Sequence, residues 1–268
     1  MKTDLLNRYW PGRAKSVGCF AIWLCAMSAS YAQPAPAIAA AADLQFALPE
    51  IALAFERDSG RKLRLSFGSS GMLAQQIAQG APFELFFSAD ESYVLMLEKS
   101  GRNEGTGKPY ALGRLVLFIP KSSPLRADRN LRDLAAAALD GRLKHLAIAN
   151  PVHAPYGRAA REALQHAGVW ESLVDKLVLA ENAAQAAQFA ASGSAQAGII
   201  PLSLTRAPDL ATRGAYVTLP ESWHAPLRQR MVLIKGAGDT ARKFHSFMLT
   251  PAARAILERH GFAAAPED

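Results

Sequence analysis

Beyond residue 36 the chain alternates short apolar runs with segments whose apolar positions recur every three or four residues. Residues 37–42 form a run of small residues with the character of a strand. Phe46, Leu48, Ile51, Leu53 and Phe55 then place apolar side chains along one face of a helix over 46–57. Strands over 63–67 and 85–88 flank a helix over 72–79, and a further helix covers 94–98. Residues 114–120 (RLVLFIP) and 231–235 (MVLIK) are apolar but for Arg114 and Lys235 at their ends and read as buried strands. Between them the pattern repeats, with strands at 145–149, 176–179 and 197–200 and helices at 158–167 and 183–192. A helical end covers 239–248 and 251–260. Segments 101–109 and 208–213 carry Gly and Pro and read as surface loops.

Such alternation predicts an α/β fold. Two long strands bracket an inserted α/β unit, after which the chain returns to its first half. That order makes a two-lobe protein with a double crossover hinge, each lobe a mixed, mostly parallel sheet flanked by helices. The expected division is 33–116 with 230–268 for the first lobe and 117–229 for the second.

The first 32 residues are set apart. Lys2, Arg8, Arg13 and Lys15 precede an apolar stretch over 16–30, and Ser30-Tyr31-Ala32 supplies the small residues of a cleavage site. The expectation is a cleavable signal peptide over 1–32 and a periplasmic mature chain, because the apolar stretch falls short of the ~20 residues that span a bilayer. Cys19 and Cys25 both fall inside it, which leaves the mature chain without thiols. The net charge of +7 drops to +4 on removal of those four basic residues and Asp4, with 26 basic against 22 acidic residues remaining. Lys and Arg are scattered and form no basic stripe interleaved with aromatics, so no nucleic-acid partner is expected. His145, His153, His166, His224, His245 and His260 show no paired spacing, and no metal held directly by side chains is expected.

The chemistry-bearing positions lie at strand-to-helix junctions. The stretch FGSSGMLAQQIAQGAPFELFFSAD over 67–90 sets Ser69 and Ser70 between glycines just ahead of an amphipathic run. Asp43, Ala154 to Gly157, and Glu181-Asn182-Ala183 stand at three comparable junctions. Ligands of open α/β sheets gather beyond the carboxyl ends of strands. Helix starts there offer free N–H groups and about half a positive charge each, enough to hold an anion without a basic side chain. Each residue also has an ordinary role: Asp43, Ser69, Ser70 and Asn182 are good N-caps, Pro155 suits a first helical turn, and His153 reads as a solvent-facing loop residue. A hydrolase would need Glu84, Asp90 or Glu181 to converge, and Asp90 reads instead as a cap. GSSG at 68–71 is not a nucleophile elbow, so no catalytic residue is assigned.

AAADL (40–44), SFGSSG (66–71), GAPFELFFSAD (80–90), ANPVHAPYG (149–157), ENAAQ (181–185) and QAGIIPLS (196–203) together resemble the substrate-binding proteins of molybdate ABC transporters over 37–262. The resemblance implies a periplasmic two-lobe fold that captures molybdate or tungstate and passes it to a membrane permease. It implies no cofactor, molybdenum being bound as its oxyanion, and a monomer. It places oxyanion contacts at Asp43 with the Leu44 amide, at Ser69 and Ser70, at Tyr156, and at Asn182 with the Ala183 amide. Pro201 stands where many relatives have a contacting Tyr, so Tyr156 is expected to supply the phenol.

Asp43 departs from the Ser, Thr or Asn usual in the family. A carboxylate ~5 Å from a dianion would cost roughly 6 kcal/mol at an effective dielectric near 20, more than several neutral hydrogen bonds return. Either Asp43 turns back to cap its own helix, which is the preferred expectation, or it binds protonated. A protonated oxyanion such as phosphate or a phosphonate is the runner-up ligand, with sulfate the other tetrahedral candidate.

Overall fold

The computed structural model describes residues 34–265. The expected signal peptide and both cysteines lie outside the described residues.

Strand β1 (Ala37–Ala41) is four alanines and Ile38, all buried, as suits a strand covered on both faces. A single 3₁₀ turn, Ala42–Leu44, leads into α1 (Ala47–Ser59). This helix buries Ala47, Leu48, Ile51 and Phe55 along one face and stops at Gly60, whose φ of 69° is the left-handed cap that only glycine adopts at little cost. The first half continues through β2 (Arg64–Gly68), α2 (Ser70–Ala78), β3 (Leu85–Ser88), α3 (Glu91–Lys99) and β4 (Asn103–Gly113). Strand β5 (Leu115–Pro120), buried throughout, enters the second half. There follow α4 (Arg132–Asp140), β6 (Leu146–Ala149), α5 (Pro155–His166), α6 (Trp170–Leu173), β7 (Leu177–Ala180), α7 (Ala183–Ala191), β8 (Ala197–Pro201), α8 (Leu202–Thr205), α9 (Pro208–Ala211) and β9 (Gly214–Thr218). The chain returns on β10 (Leu227–Ile234) and closes with α10 (Asp239–Phe247) and α11 (Pro251–Arg259).

The strands form two five-stranded sheets of matching plan, β2-β1-β3-β10-β4 and β7-β6-β8-β5-β9. In each, three parallel strands lie beside one antiparallel strand that has just arrived from the other half, β10 in the first sheet and β5 in the second. An antiparallel edge strand completes each sheet. The chain therefore crosses twice, once at Arg114 between β4 and β5 and once over 219–226, and the fold is the two-lobe α/β architecture with a double crossover. The first lobe is packed by Phe55, Phe87, Tyr110, Phe244 and Phe247, whose rings meet tilted or edge-on at centroid separations of 5.2 to 6.0 Å.

Three expectations need correction. Residues 101–109 are not a loop: β4 runs through Gly105, Gly107 and Pro109 as an edge strand paired with β10. Two register shifts in that pairing absorb the residues that disrupt a regular ladder. The second supposed loop contains the short helix α9. Strand β10 begins four residues before the apolar run at 231, because Leu227, Gln229 and Met231 alternate inward with Arg228 and Arg230 between them.

Candidate functional site

The junctions at the ends of β1, β2, β6 and β7 converge on a small cavity of about 10 Å³. Its walls are Ala41 to Asp43 and Gly68 to Ser70 with Ala89 from the first lobe, and Ala154 to Tyr156 with Ala183 from the second. None of these residues is basic, and Asp43 is the one acid. The larger cavity of about 440 Å³ between Lys108 and Arg254 does not touch these junctions, and one of about 390 Å³ lies along α7, against Gln45, Phe46 and Ala184.

Ser69 is the N-cap of α2, its Oγ accepting from the Met72 amide at 3.4 Å. Ser70, 1% exposed, accepts from the buried Ala89 amide at 3.0 Å, which leaves its own hydroxyl proton to donate. Helix α5 starts on Pro155, whose missing N–H costs nothing in a first turn. Asn182 caps α7, its Oδ1 accepting from the amides of Ala184 and Gln185 at 3.0 and 3.1 Å. Asn182 is absent from the cavity wall, whereas Ala183 at the first turn of α7 lines it. The Leu44 side chain is packed in the first lobe's core, so only its backbone can serve the site.

Asp43 does not cap. Neither the 3₁₀ turn nor α1 receives a side-chain cap. Its carboxyl group instead faces across the cleft and accepts at Oδ2 from the Tyr156 hydroxyl at 3.0 Å and from Gln229 Nε2 at 2.5 Å. Gln229 Nε2 also donates to the Tyr156 oxygen at 3.2 Å, and Ser203 Oγ donates to the Asp43 carbonyl at 2.8 Å. The phenol expected to reach a ligand is therefore committed to a carboxyl group. Asp43 is fully buried, and the loss of solvent pushes its pKa up to about 6 against the downward pull of Gln229, of Tyr156 and of the backbone amides of Asp43 and Leu44, which lie near the carboxyl group without a well-formed hydrogen bond to Oδ1. Asp43 Oδ1 and Gln229 Oε1 are buried without a hydrogen-bond partner. Burial, and then the Asp43 charge, hold the hydroxyls of Tyr110 and Tyr156 protonated far above the usual tyrosine range.

Around the cavity the lobes are clasped. His153 is half-buried and turned to the cleft rather than to solvent alone: its Nδ1 lies 2.9 Å from Ser69 Oγ, and its carbonyl accepts from the Gly71 amide at 3.0 Å and the Tyr93 hydroxyl at 3.4 Å. Asp90 caps α3, as expected, and also forms an ion pair with Arg158 across the cleft. The carboxylates a hydrolase would have to gather are apart. Glu84 accepts from the Gly238 amide, Asp90 is committed to α3 and Arg158, and Glu181 is exposed.

Sequence reasoning passed over Gln229, Ser203 and the clasp at His153. A signal for Gln229 was present: it is the polar residue in the inward-facing series of β10, 0% exposed between Leu227 and Met231. Buried amides of this kind are kept where they have a partner to hold.

Residues 37–263 match the family of bacterial extracellular solute-binding proteins. The molybdate-binding protein ModA of Azotobacter vinelandii is 36% identical over 241 residues, 89% of this chain and 92% of the relative. That of Rhodobacter capsulatus is 38% identical over 227 residues, 84% of this chain and 86% of the relative. The solved Azotobacter vinelandii periplasmic molybdate-binding protein superposes with a TM-score of 0.78 at 31% identity, covering 87% of this chain and 100% of the other. By the family match across both lobes and the identity to these relatives, the chain belongs to the bacterial extracellular solute-binding proteins.

Proposed function

We propose that the chain is a non-enzymatic, periplasmic binding protein that captures molybdate or tungstate between its lobes and delivers it to the membrane permease of an ABC transporter. It works as a monomer and has no nucleic-acid partner. The observation that carries this reading is the convergence of helix starts from both lobes on one cavity, supplied with the hydroxyl proton of Ser70 and free of lysine and arginine. Aligned amides and hydroxyls of this kind favour a compact, multiply charged anion. The names carried by the relatives at 36% and 38% identity support molybdate. We assign the oxyanion contacts to Ser69 and Ser70, to the amides of Tyr156 and Ala183, and to Asp43, with the Leu44 amide beside it. Asn182 acts by fixing the first turn of α7.

The test is a titration of intrinsic fluorescence, reported by Trp170 and Trp223 of the second lobe, with molybdate, tungstate, sulfate and phosphate. Saturation by molybdate at micromolar or lower concentration, undisturbed by excess sulfate, is expected. A response to phosphate alone would transfer the site to the second reading, a binder of phosphate or a phosphonate. The unpartnered Oδ1 of Asp43 favours that reading, since it can accept the proton of a hydrogen-bearing anion.

Ser70→Ala is expected to weaken molybdate binding by about 1–2 kcal/mol through loss of a donor. Because Ser70 Oγ also satisfies the buried Ala89 amide, the same variant should lose about 1 kcal/mol of stability, read from chemical denaturation. An unchanged dissociation constant would remove Ser70 from the site.

A further inference from the structure

The cavity presents an anion with an acid where neutral or positive groups would be simpler. The two oxygens of that acid are not equivalent. Oδ2 is saturated by the Tyr156 hydroxyl and Gln229 Nε2, while Oδ1 is buried and unpartnered. As a carboxylate, Asp43 offers Oδ1 as a bare acceptor to a ligand that is itself all acceptors. As a carboxylic acid with its proton on Oδ1, the same atom becomes a donor, and every oxygen of the group has a partner.

Building on the oxyanion reading above, we propose that Asp43 binds as the neutral acid, donating from Oδ1 to an oxygen of the anion, so that capture of a fully deprotonated tetrahedral dianion is coupled to uptake of one proton from solvent. The groups that face Asp43 leave it to titrate alone. Tyr156 on α5 and Tyr110 on β4 are buried and stay neutral, and Gln229 on β10 and Ser203 on α8 carry no charge. Burial has already raised the carboxyl pKa to about 6, and an anion alongside raises it further. The proton converts a repulsive wall into a selective one. An anion such as hydrogen phosphate brings its own proton to the Asp43 carboxylate and draws none from solvent, so the two ligand classes leave different proton counts.

Calorimetric titration of the purified protein with molybdate at pH 6, 7 and 8, in two buffers of unlike ionisation enthalpy, reads that count directly. The expected result is uptake of about one proton per molybdate at pH 8 and a dissociation constant that rises roughly tenfold between pH 7 and 8. Asp43→Asn, which places an amide donor where the acid proton would be, should take up none. Its affinity should be flat across the range and tighter than wild type at pH 8. Tight molybdate binding by wild type with no proton uptake and no pH dependence overturns the coupling and leaves the oxyanion reading standing. Failure of molybdate and tungstate to bind at pH 6 overturns both. Should Asp43→Asn misfold, the wild-type proton count decides alone.

Discussion

Asp43→Asn is expected to stabilise the ligand-free protein at pH 8 and to change it little at pH 4. The folded pKa of about 6 lies above the ordinary 3.8, so the folded state holds the proton more tightly than the unfolded chain does. Stability from this group is complete below pH ~4, declines as pH climbs through about 6, and is then lower by ~3 kcal/mol. An amide keeps the shape without the titration, and its oxygen can still accept from Tyr156 and Gln229. For a chain of this size ~3 kcal/mol corresponds to roughly 6–12 °C in melting temperature. Thermal unfolding of both proteins at pH 4, 6 and 8 without ligand is the measurement. A difference between them that stays constant with pH would mean that the carboxyl is not forced out of water.

Gly71→Ala is expected to leave each lobe intact and to cost ligand affinity of about 1–3 kcal/mol, or 5- to 150-fold. Gly71 lies in the first turn of α2, where Ala is the better helix former. Its amide donates across the cleft to the His153 carbonyl, and a Cβ there would sit 2.6 Å from that oxygen and 2.8 Å from the Tyr93 hydroxyl. The obstacle is backbone, so it cannot swing aside. The clash with the His153 carbonyl exists only while the two lobes meet as they do here, and a penalty confined to one arrangement shifts the population away from it. Titration with molybdate should show the loss while the unfolding transition of the ligand-free protein holds or rises. Unaltered affinity would mean that the lobes do not meet at this glycine when the anion is bound.

Much of the fold was legible because each element announces its own burial. The alanine run of β1, the continuous apolar β5 and the one-sided faces of α1 and α7 need no distant partner to be recognised. Strand β4 was not legible: its glycines and Pro109 read as turn residues, and only pairing with β10, more than a hundred residues later, makes it a strand. The same distinction divides the site. Ser69, Ser70 and Ala183 could be placed because a helix start is a local property. The direction of Asp43 could not, since the groups that fix it, Tyr156 and Gln229, are 113 and 186 residues away along the chain. His153 was misjudged for the same reason, as its partners lie on the opposite lobe.

Gly113 ends β4 one residue before the chain first crosses between the lobes, and a side chain there would lie 2.2 Å from the Tyr156 hydroxyl. The phenol that walls the cavity thus leans on the pivot of the molecule. A substituent at Gly113 would press on the ring whose hydroxyl is held by Asp43 and Gln229, so this position tolerates only glycine while the network stands.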